Sequence, residues 1–441
     1  MSVTPSVRPE LDALIADAQA EVRARYVARR PHSAALHEVA AEVLPGGNTR
    51  TVLFFGPFPF RVRRGWHCTL EDVDGHRYVD FLGEYTAGLY GHSNPVIRTA
   101  IERTLADGLS FGAHNTYEAG LATELCRRFP SLDLVRFTNS GTEANLMAVA
   151  LARVATGREK IMVFDGGYHG GLLSFGHGGS PLNAPYPMVM GEYNDAEGAR
   201  ELIHQHGDDL AAVLVEPMLG SGGCLPGDPA FLQALRDATA AQGTLLVFDE
   251  VMTSRLSPGG LQARLGITPD LTTLGKYFGG GLSFGAFGGR RDLMARFDPR
   301  SPDALGHAGT FNNNVLSMAA GLAGLTQVLT PEAIAELNDR GDRTRDGLNA
   351  VFTGAGAPLC ATGVGSLVGL HTMPAPVRTP HDADRADDRL KEIFFFDLLE
   401  RGYYIARRGF MALSLAIGDA EVDGFIAAVA DVVRERRALW A

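Results

Sequence analysis

Lys276 lies in the run Thr272-Thr273-Leu274-Gly275-Lys276-Tyr277-Phe278-Gly279-Gly280-Gly281, 27 residues beyond Asp249. A lysine is ordinarily exposed and inert. Apolar surroundings lower its pKa and turn the amine into a nucleophile that condenses with an aldehyde. The glycines let the backbone pass close to a flat ring. Asp249 belongs to Leu245-Leu246-Val247-Phe248-Asp249-Glu250-Val251, an apolar strand that ends in two carboxylates. A charge at the C-terminal end of a parallel strand sits where active sites form in open α/β sheets. A buried aspartate needs a partner. A protonated pyridine nitrogen is such a partner, and the carboxylate would keep that ring ready to take up electrons. A helix cap or a metal ligand would use the same acids, but no histidine lies nearby to complete a metal site.

Three further segments carry polar groups at turns. Thr138-Asn139-Ser140-Gly141-Thr142-Glu143-Ala144-Asn145 precedes a helical apolar pattern (Leu146, Met147, Ala150, Leu151, Val154). Free N–H groups and the helix dipole at such a start suit a phosphate; an ordinary cap by Ser140 or Thr142 would read the same. Phe164-Asp165-Gly166-Gly167-Tyr168-His169-Gly170-Gly171 sets an aromatic pair in a glycine turn. Tyr168 could stack on a ring or be a surface aromatic. Gly309-Thr310-Phe311-Asn312-Asn313-Asn314 has the polar character of a loop that meets a phosphate or a partner subunit.

These residues need strands and helices to hold them. Residues 160–165, 211–215, 244–249 and 271–274 read as short apolar strands, with helices such as 229–242 between them. Asp228 stands in N-cap position there, with Pro229 at the first helical position and Gly243 just past the end. Such alternation predicts an α/β fold with a mainly parallel sheet covered on both faces. Residues 11–44 read as one helix stopped by Pro45-Gly46-Gly47. Residues 60–81 alternate around Asp74-Gly75 like a hairpin. Thr330-Pro331-Glu332 opens another helix and begins a smaller α+β unit, in which 373–389 reads as a surface loop and 391–400 and 419–437 as closing helices. The division expected is 1–80 and 331–441 for a small domain and 81–330 for a large one.

The length of 441 residues fits one large domain with smaller flanking pieces, and 45% hydrophobic residues fit a folded chain. A formal charge of −11 disfavours nucleic acid as a partner. Cys68, Cys126, Cys224 and Cys360 are far apart and form no CxxC pair. Neither a zinc site nor a disulfide framework is expected, and scattered thiols suit a cytoplasmic location. Residues 1–10 show no signal-peptide pattern and no apolar run reaches membrane-spanning length, so no membrane association is expected.

In combination, the segments NSGTEAN, DGGYHG, VLVEP, LLVFDEVMTSR, TLGKYFGGG, GAFGGR and AGTFNNN stand in the order found in class III (fold-type I) aminotransferases. The chain resembles that family from about Ala41 to the C-terminal helix. Within it the chain is similar to glutamate-1-semialdehyde aminomutases and more so to bacterial β-phenylalanine (β-amino-acid) aminotransferases, through Thr49–Phe55, Gly83–Gly88 and Arg408-Gly409-Phe410. The resemblance implies pyridoxal 5'-phosphate (PLP) as cofactor and Lys276 as its Schiff-base lysine. It implies Asp249 at the pyridine nitrogen, Ser140, Gly141 and Thr142 around the phosphate, Tyr168 on the ring, and Val251 and Met252 beside it. Thr310 would reach the phosphate of a neighbouring subunit, which implies a homodimer with shared sites.

For the substrate the resemblance points to Arg50 and Arg408 as carboxylate binders, because a guanidinium donates two parallel hydrogen bonds to a carboxylate. Val52, Glu84 and Tyr85 would face the substrate, and Phe54, Phe58, Phe60 and Tyr85 would form an aromatic pocket. Phenylalanines in a core would look the same. Ala406-Arg407 depart from the Ser-Pro-like pair expected before Arg408, and Arg407 would either shift the carboxylate pocket or point to solvent. The implied reaction moves an amino group from a β-phenylalanine-like donor to 2-oxoglutarate. An aminomutase, a transaminase for other ω-amino acids, a decarboxylase and a non-catalytic PLP binder share these motifs in varying degree.

Overall fold

A computed structural model describes residues 9–440; the expectation about a leader in residues 1–10 falls almost wholly outside them. A seven-stranded sheet runs in the order Leu134–Thr138, Gly285–Gly289, Leu271–Gly275, Leu245–Asp249, Leu210–Val215, Lys160–Phe164, Met188–Gly191. All neighbours are parallel except Gly285–Gly289, which is antiparallel on both sides. That reversed strand leaves Leu134–Thr138 running the same way as Leu271–Gly275. The central strands are mainly apolar because both faces are covered: all six residues of Leu210–Val215 are buried. Alternate residues of one strand enter different cores. Ile161 and Val163 pack with Ala148 and Leu151 of the Gly141–Thr156 helix. Met162 and Phe164 pack with Ile203 and Leu232 on the other face.

The chain ends combine in the smaller sheets. Tyr403–Tyr404 pairs in parallel with Arg77–Asp80, and Phe410–Ala412 joins Cys360–Val364 and Leu367–His371. Arginines of the Pro9–Arg29 helix clamp carboxylates of the Asp388–Glu400 helix: Arg23 pairs with Glu392, Arg25 with Asp397 and Arg29 with Glu400. No helix among the described residues is long and apolar enough to cross a membrane.

Several elements differ from expectation for identifiable reasons. The single helix over 11–44 is two, Pro9–Arg29 and Pro31–Ala41. Pro31 disfavours helical geometry at Arg30, whose φ/ψ are −130 and 54. Arg30 is buried at the break, bonded to Glu400 at 2.8 Å and to the Tyr78 hydroxyl. The hairpin has a third strand, Val62–Trp66, beside Thr69–Asp72 and Arg77–Asp80. Helix Pro229–Gln242 is present, but Asp228 makes no side-chain cap. Residues 373–389 are not a plain surface loop. Met373 and Val377 are buried in the core, and Thr379 and Asp382 form a capping box on the short helix Pro380–Asp384. The closing helices are Asp388–Glu400 and Asp419–Glu435.

Candidate active site

Five parallel strands end on one edge of the sheet, and each delivers a polar group there. Leu134–Thr138 leads to Ser140, Lys160–Phe164 to Tyr168 and His169, Leu210–Val215 to Glu216, Leu245–Asp249 to Asp249, and Leu271–Gly275 to Lys276. The register sets Asp249 opposite Thr273, so Lys276 follows three residues further along the adjacent strand.

Asp249 is 4% exposed and fully engaged on one oxygen. Its Oδ2 accepts from Asn145 Nδ2 and from His169 Nδ1, both at 2.8 Å. Thr273 Oγ1 donates to Asn145 Oδ1 at 2.7 Å and so fixes which end of that amide faces the acid. Oδ1 accepts from Val251 N–H at 3.0 Å and has a lone pair left for one more donor. This set orients a carboxylate rigidly toward a single further N–H.

At the start of the Gly141–Thr156 helix, Ser140 Oγ accepts from Glu143 N–H. The amides of Gly141 and Thr142 belong to the first turn, where no intrahelical acceptor exists. A Cβ on Gly141 would meet Val251 Cγ2 at 2.9 Å, and one on Gly275 would meet Val251 Cγ1 at 3.3 Å. Val251 thus packs between the phosphate-binding candidate and the lysine turn. Met252 instead packs against Gly220.

Lys276 is held at φ +62, a left-handed backbone that side chains other than glycine rarely adopt. Such strain costs roughly 1–3 kcal/mol and persists where the surroundings fix it. Its amine has no hydrogen-bond or ion-pair partner among the described residues. Burial pushes its pKa down, Arg50 pushes the same way, and Glu84 and Asp249 oppose them, with Arg408 again lowering it. These four groups therefore share one electrostatic neighbourhood with the amine.

The opposite wall is built from a second strained run. Gly83, Glu84, Tyr85 and Thr86 all have positive φ, at 56, 50, 50 and 81. Only glycine fits at 83, where a Cβ would lie 2.2 Å from the Ala412 carbonyl oxygen. The turn gives Glu84 an ion pair with Arg50 and lets the Tyr85 hydroxyl donate to Val52 O at 3.1 Å. Tyr85 stacks on Phe410 at 5.8 Å, and the Arg408 guanidinium lies 5.2 Å from the Tyr85 ring.

Tyr168 is 46% exposed above this floor. Its backbone N–H donates to Glu216 Oε1 at 2.9 Å, and Gly220 N–H donates to Glu216 Oε2 at 3.1 Å. Burial raises the Glu216 pKa to about 7, partly offset by His169 and reinforced by Asp249. Glu216→Gln replaces one acceptor with a donor facing one of these amides. We expect a loss of about 1–3 kcal/mol, the cost of a buried unsatisfied group, read as a lower unfolding midpoint. A midpoint unchanged in denaturant titration would remove this bracing role.

Some assigned residues lie elsewhere. Phe58 and Phe60 are core residues: Phe58 packs on Tyr26 and His37, and Phe60 on Tyr78 and Tyr404. Phe54 is 42% exposed near His37. Phe58 and Phe60 therefore do not join Tyr85 in a pocket: Phe58 packs against the Pro9–Arg29 and Pro31–Ala41 helices, and Phe60 against Tyr78 and Tyr404. Arg407 neither enters the site nor lies free in solvent, since it bonds Asp388 at 2.7 Å and Glu392 at 2.9 Å. Thr310 is exposed, in a loop whose Asn312 Oδ1 accepts from Asn139 Nδ2 at 2.9 Å. Asn145, His169 and Glu216 stood inside quoted motifs but carried no assigned role; only their motif positions could have singled them out.

The residues present fit PLP. A free lone pair on a buried carboxylate suits a pyridine N–H, open helix-start amides suit a phosphate, and a desolvated amine suits an aldehyde.

Residues 55–433 match the profile of the class-III aminotransferase family. The beta-phenylalanine transaminase of Variovorax paradoxus is 51% identical over 97% of this chain and 98% of its own length. An uncharacterised aminotransferase of Schizosaccharomyces pombe is 45% identical, covering 96% of each. The crystal structure of the Variovorax enzyme superposes with a TM-score of 0.95 over 96% of this chain and 99% of that one. An omega-transaminase from Sphaerobacter thermophilus gives 0.88 at 40% identity, over 93% and 99%.

Proposed function

The chain belongs to the class-III aminotransferases and is a PLP-dependent enzyme of fold-type I, and from that premise we propose that it transfers the amino group of an aromatic β-amino acid to 2-oxoglutarate, giving a β-keto acid and glutamate. The observation that carries this reading is the wall opposite Lys276, where Arg50, Glu84, Tyr85 and Arg408 meet. Two guanidiniums offer carboxylate recognition, and the Tyr85–Phe410 stack offers a flat apolar surface. A relative named for β-phenylalanine is 51% identical over 97% of this chain.

PLP supplies the aldehyde and the electron-accepting ring. The protein does the rest. Lys276 Nζ, whose pKa burial pushes down, would take the proton from the amine-bearing carbon and deliver it to the cofactor carbon that receives the amino group. Asp249, locked by Asn145 and His169, holds a proton on the ring nitrogen. The exposed Thr310 loop is assigned to the phosphate of a second copy in a homodimer, and the free cysteines suit a cytoplasmic location.

The test is a half-reaction. The yellow enzyme is mixed with β-phenylalanine, with L-alanine, and with an amine lacking a carboxylate. Bleaching by β-phenylalanine that 2-oxoglutarate reverses supports the reading; bleaching by the other amines alone overturns the donor. Arg408→Ala should raise KM for 2-oxoglutarate or for the β-amino acid about tenfold or more, the worth of a charge-assisted hydrogen bond. An unchanged KM for both refutes the carboxylate role.

A further inference from the structure

The turn between Tyr403–Tyr404 and Phe410–Ala412 sends two adjacent arginines to different partners. Arg408 lies in the substrate wall, its guanidinium 5.2 Å from the Tyr85 ring and 5.5 Å from the Phe410 ring. Arg407 reaches the Asp388–Glu400 helix instead, where Nη2 donates to Asp388 Oδ2 at 2.7 Å and to Glu392 Oε2 at 2.9 Å. Its type departs from the pair expected before Arg408, and no step of the reaction uses it.

The two carboxylates are unequal anchors. Asp388 is 64% exposed, so its pairing is screened by water. Glu392 is 2% exposed and held from the Pro9–Arg29 helix as well. Arg23 donates to both of its oxygens, and Gln19 Nε2 to Oε2 at 3.2 Å. Burial pushes the Glu392 pKa up, but Arg23 and Arg407 more than offset this and hold it below its usual value. Glu392 is therefore a fixed negative charge for the turn to hold.

The backbone of the turn leaves that task open. Ala406 N–H donates to Phe410 O at 3.0 Å, Gly409 N–H to Ala406 O at 2.8 Å and Leu370 N–H to Gly409 O at 2.9 Å. The peptide groups of Arg407 and Arg408 take part in none of these bonds. The Arg408 side chain adds only a 3.4 Å contact from Nη1 to Ser221 Oγ. Among the described residues, the charged tethers of the turn are those of Arg407. Alignment matters here, because a guanidinium grips a carboxylate through two parallel hydrogen bonds and small misplacements are costly.

We propose that Arg407 is a positioning residue: clamped on Glu392, it fixes the turn from which Arg408 reaches the substrate carboxylate. This rests on the reading of Arg408 as a carboxylate binder, and the test separates the two.

The PLP-loaded enzyme is compared with its Arg407→Met, Arg407→Lys and Arg408→Ala variants and with the Arg407→Met/Arg408→Ala double variant. Arg407→Met leaves Glu392 paired with Arg23, so the buried carboxylate keeps a partner. For the substrate that Arg408→Ala weakens, Arg407→Met should raise KM about fivefold, the size of a partly exposed ion pair, with kcat unchanged. Arg407→Lys, which keeps a charge for Glu392, should restore most of that affinity. In the Arg408→Ala background Arg407→Met should add nothing. An Arg407→Met enzyme that loses kcat instead of affinity, or whose effect persists undiminished in the double variant, overturns the positioning role. If Arg408→Ala leaves KM unchanged, the carboxylate reading falls and this one with it. If Arg408→Ala raises KM and Arg407→Met does not, the positioning role alone falls.

Discussion

Lys276→Ala should abolish the visible absorption of the bound cofactor and reduce turnover by about 10⁴-fold or more, the upper range for a lost general base. The cofactor itself should still bind, because Asp249 and the helix-start amides are untouched. Stability should not suffer. Alanine also carries a Cβ, so the backbone at φ +62 is as strained as before. What disappears is a buried amine without a partner. Its pKa is lowered in the folded state, so below that value folding must desolvate a charge that the unfolded chain keeps in water. The folded state binds fewer protons, and stability rises with pH between the folded pKa and the unfolded value near 10.5. Cofactor-free Lys276→Ala should therefore unfold at a higher midpoint than the parent at neutral pH, with the advantage shrinking as pH approaches 10.5. Retained turnover would end the mechanism; a lower midpoint at neutral pH would show that the amine has an unseen partner.

Lys276 and Asp249 were readable because their types are rare at the ends of apolar runs. Buried parallel strands read as continuous hydrophobic segments, and a charge that terminates one stands out. Residues that act through distant contacts were not readable. Asp249 meets Asn145 across 104 positions and His169 across 80, and nothing local encodes such pairings. Phe58 and Phe60 show the opposite difficulty, since a phenylalanine looks the same in a core and in a pocket. The run Gly83 to Thr86 is harder still. Three consecutive residues other than glycine with positive φ defy local propensity, and only tertiary contacts such as the Ala412 carbonyl against Gly83 enforce them. Arg407 was ambiguous for the same reason: it lies in a turn, and its carboxylates, Asp388 and Glu392, lie on the Asp388–Glu400 helix.

Asp249→Asn should lower kcat/KM by about 10²–10³-fold, the scale for removing one preorganised electrostatic contact. The substitution is nearly isosteric, so its effects divide cleanly. The asparagine amide brings two hydrogens to a position surrounded by donors. Turned one way it faces His169 Nδ1 and Asn145 Nδ2; turned the other it faces Val251 N–H. Either orientation sets donor against donor, at about 1–3 kcal/mol of stability. The loss of negative charge acts on the cofactor ring, which then no longer holds its nitrogen proton firmly. Stability and rate can be separated with Asn145→Ala, which removes one donor to Asp249 while leaving the charge in place. That variant should lose stability similarly yet keep far more activity. If both variants lose activity in proportion to stability, Asp249 serves only to hold the strand ends together. If Asp249→Asn alone loses rate, the charge beside the ring is what the five strand ends are arranged to supply.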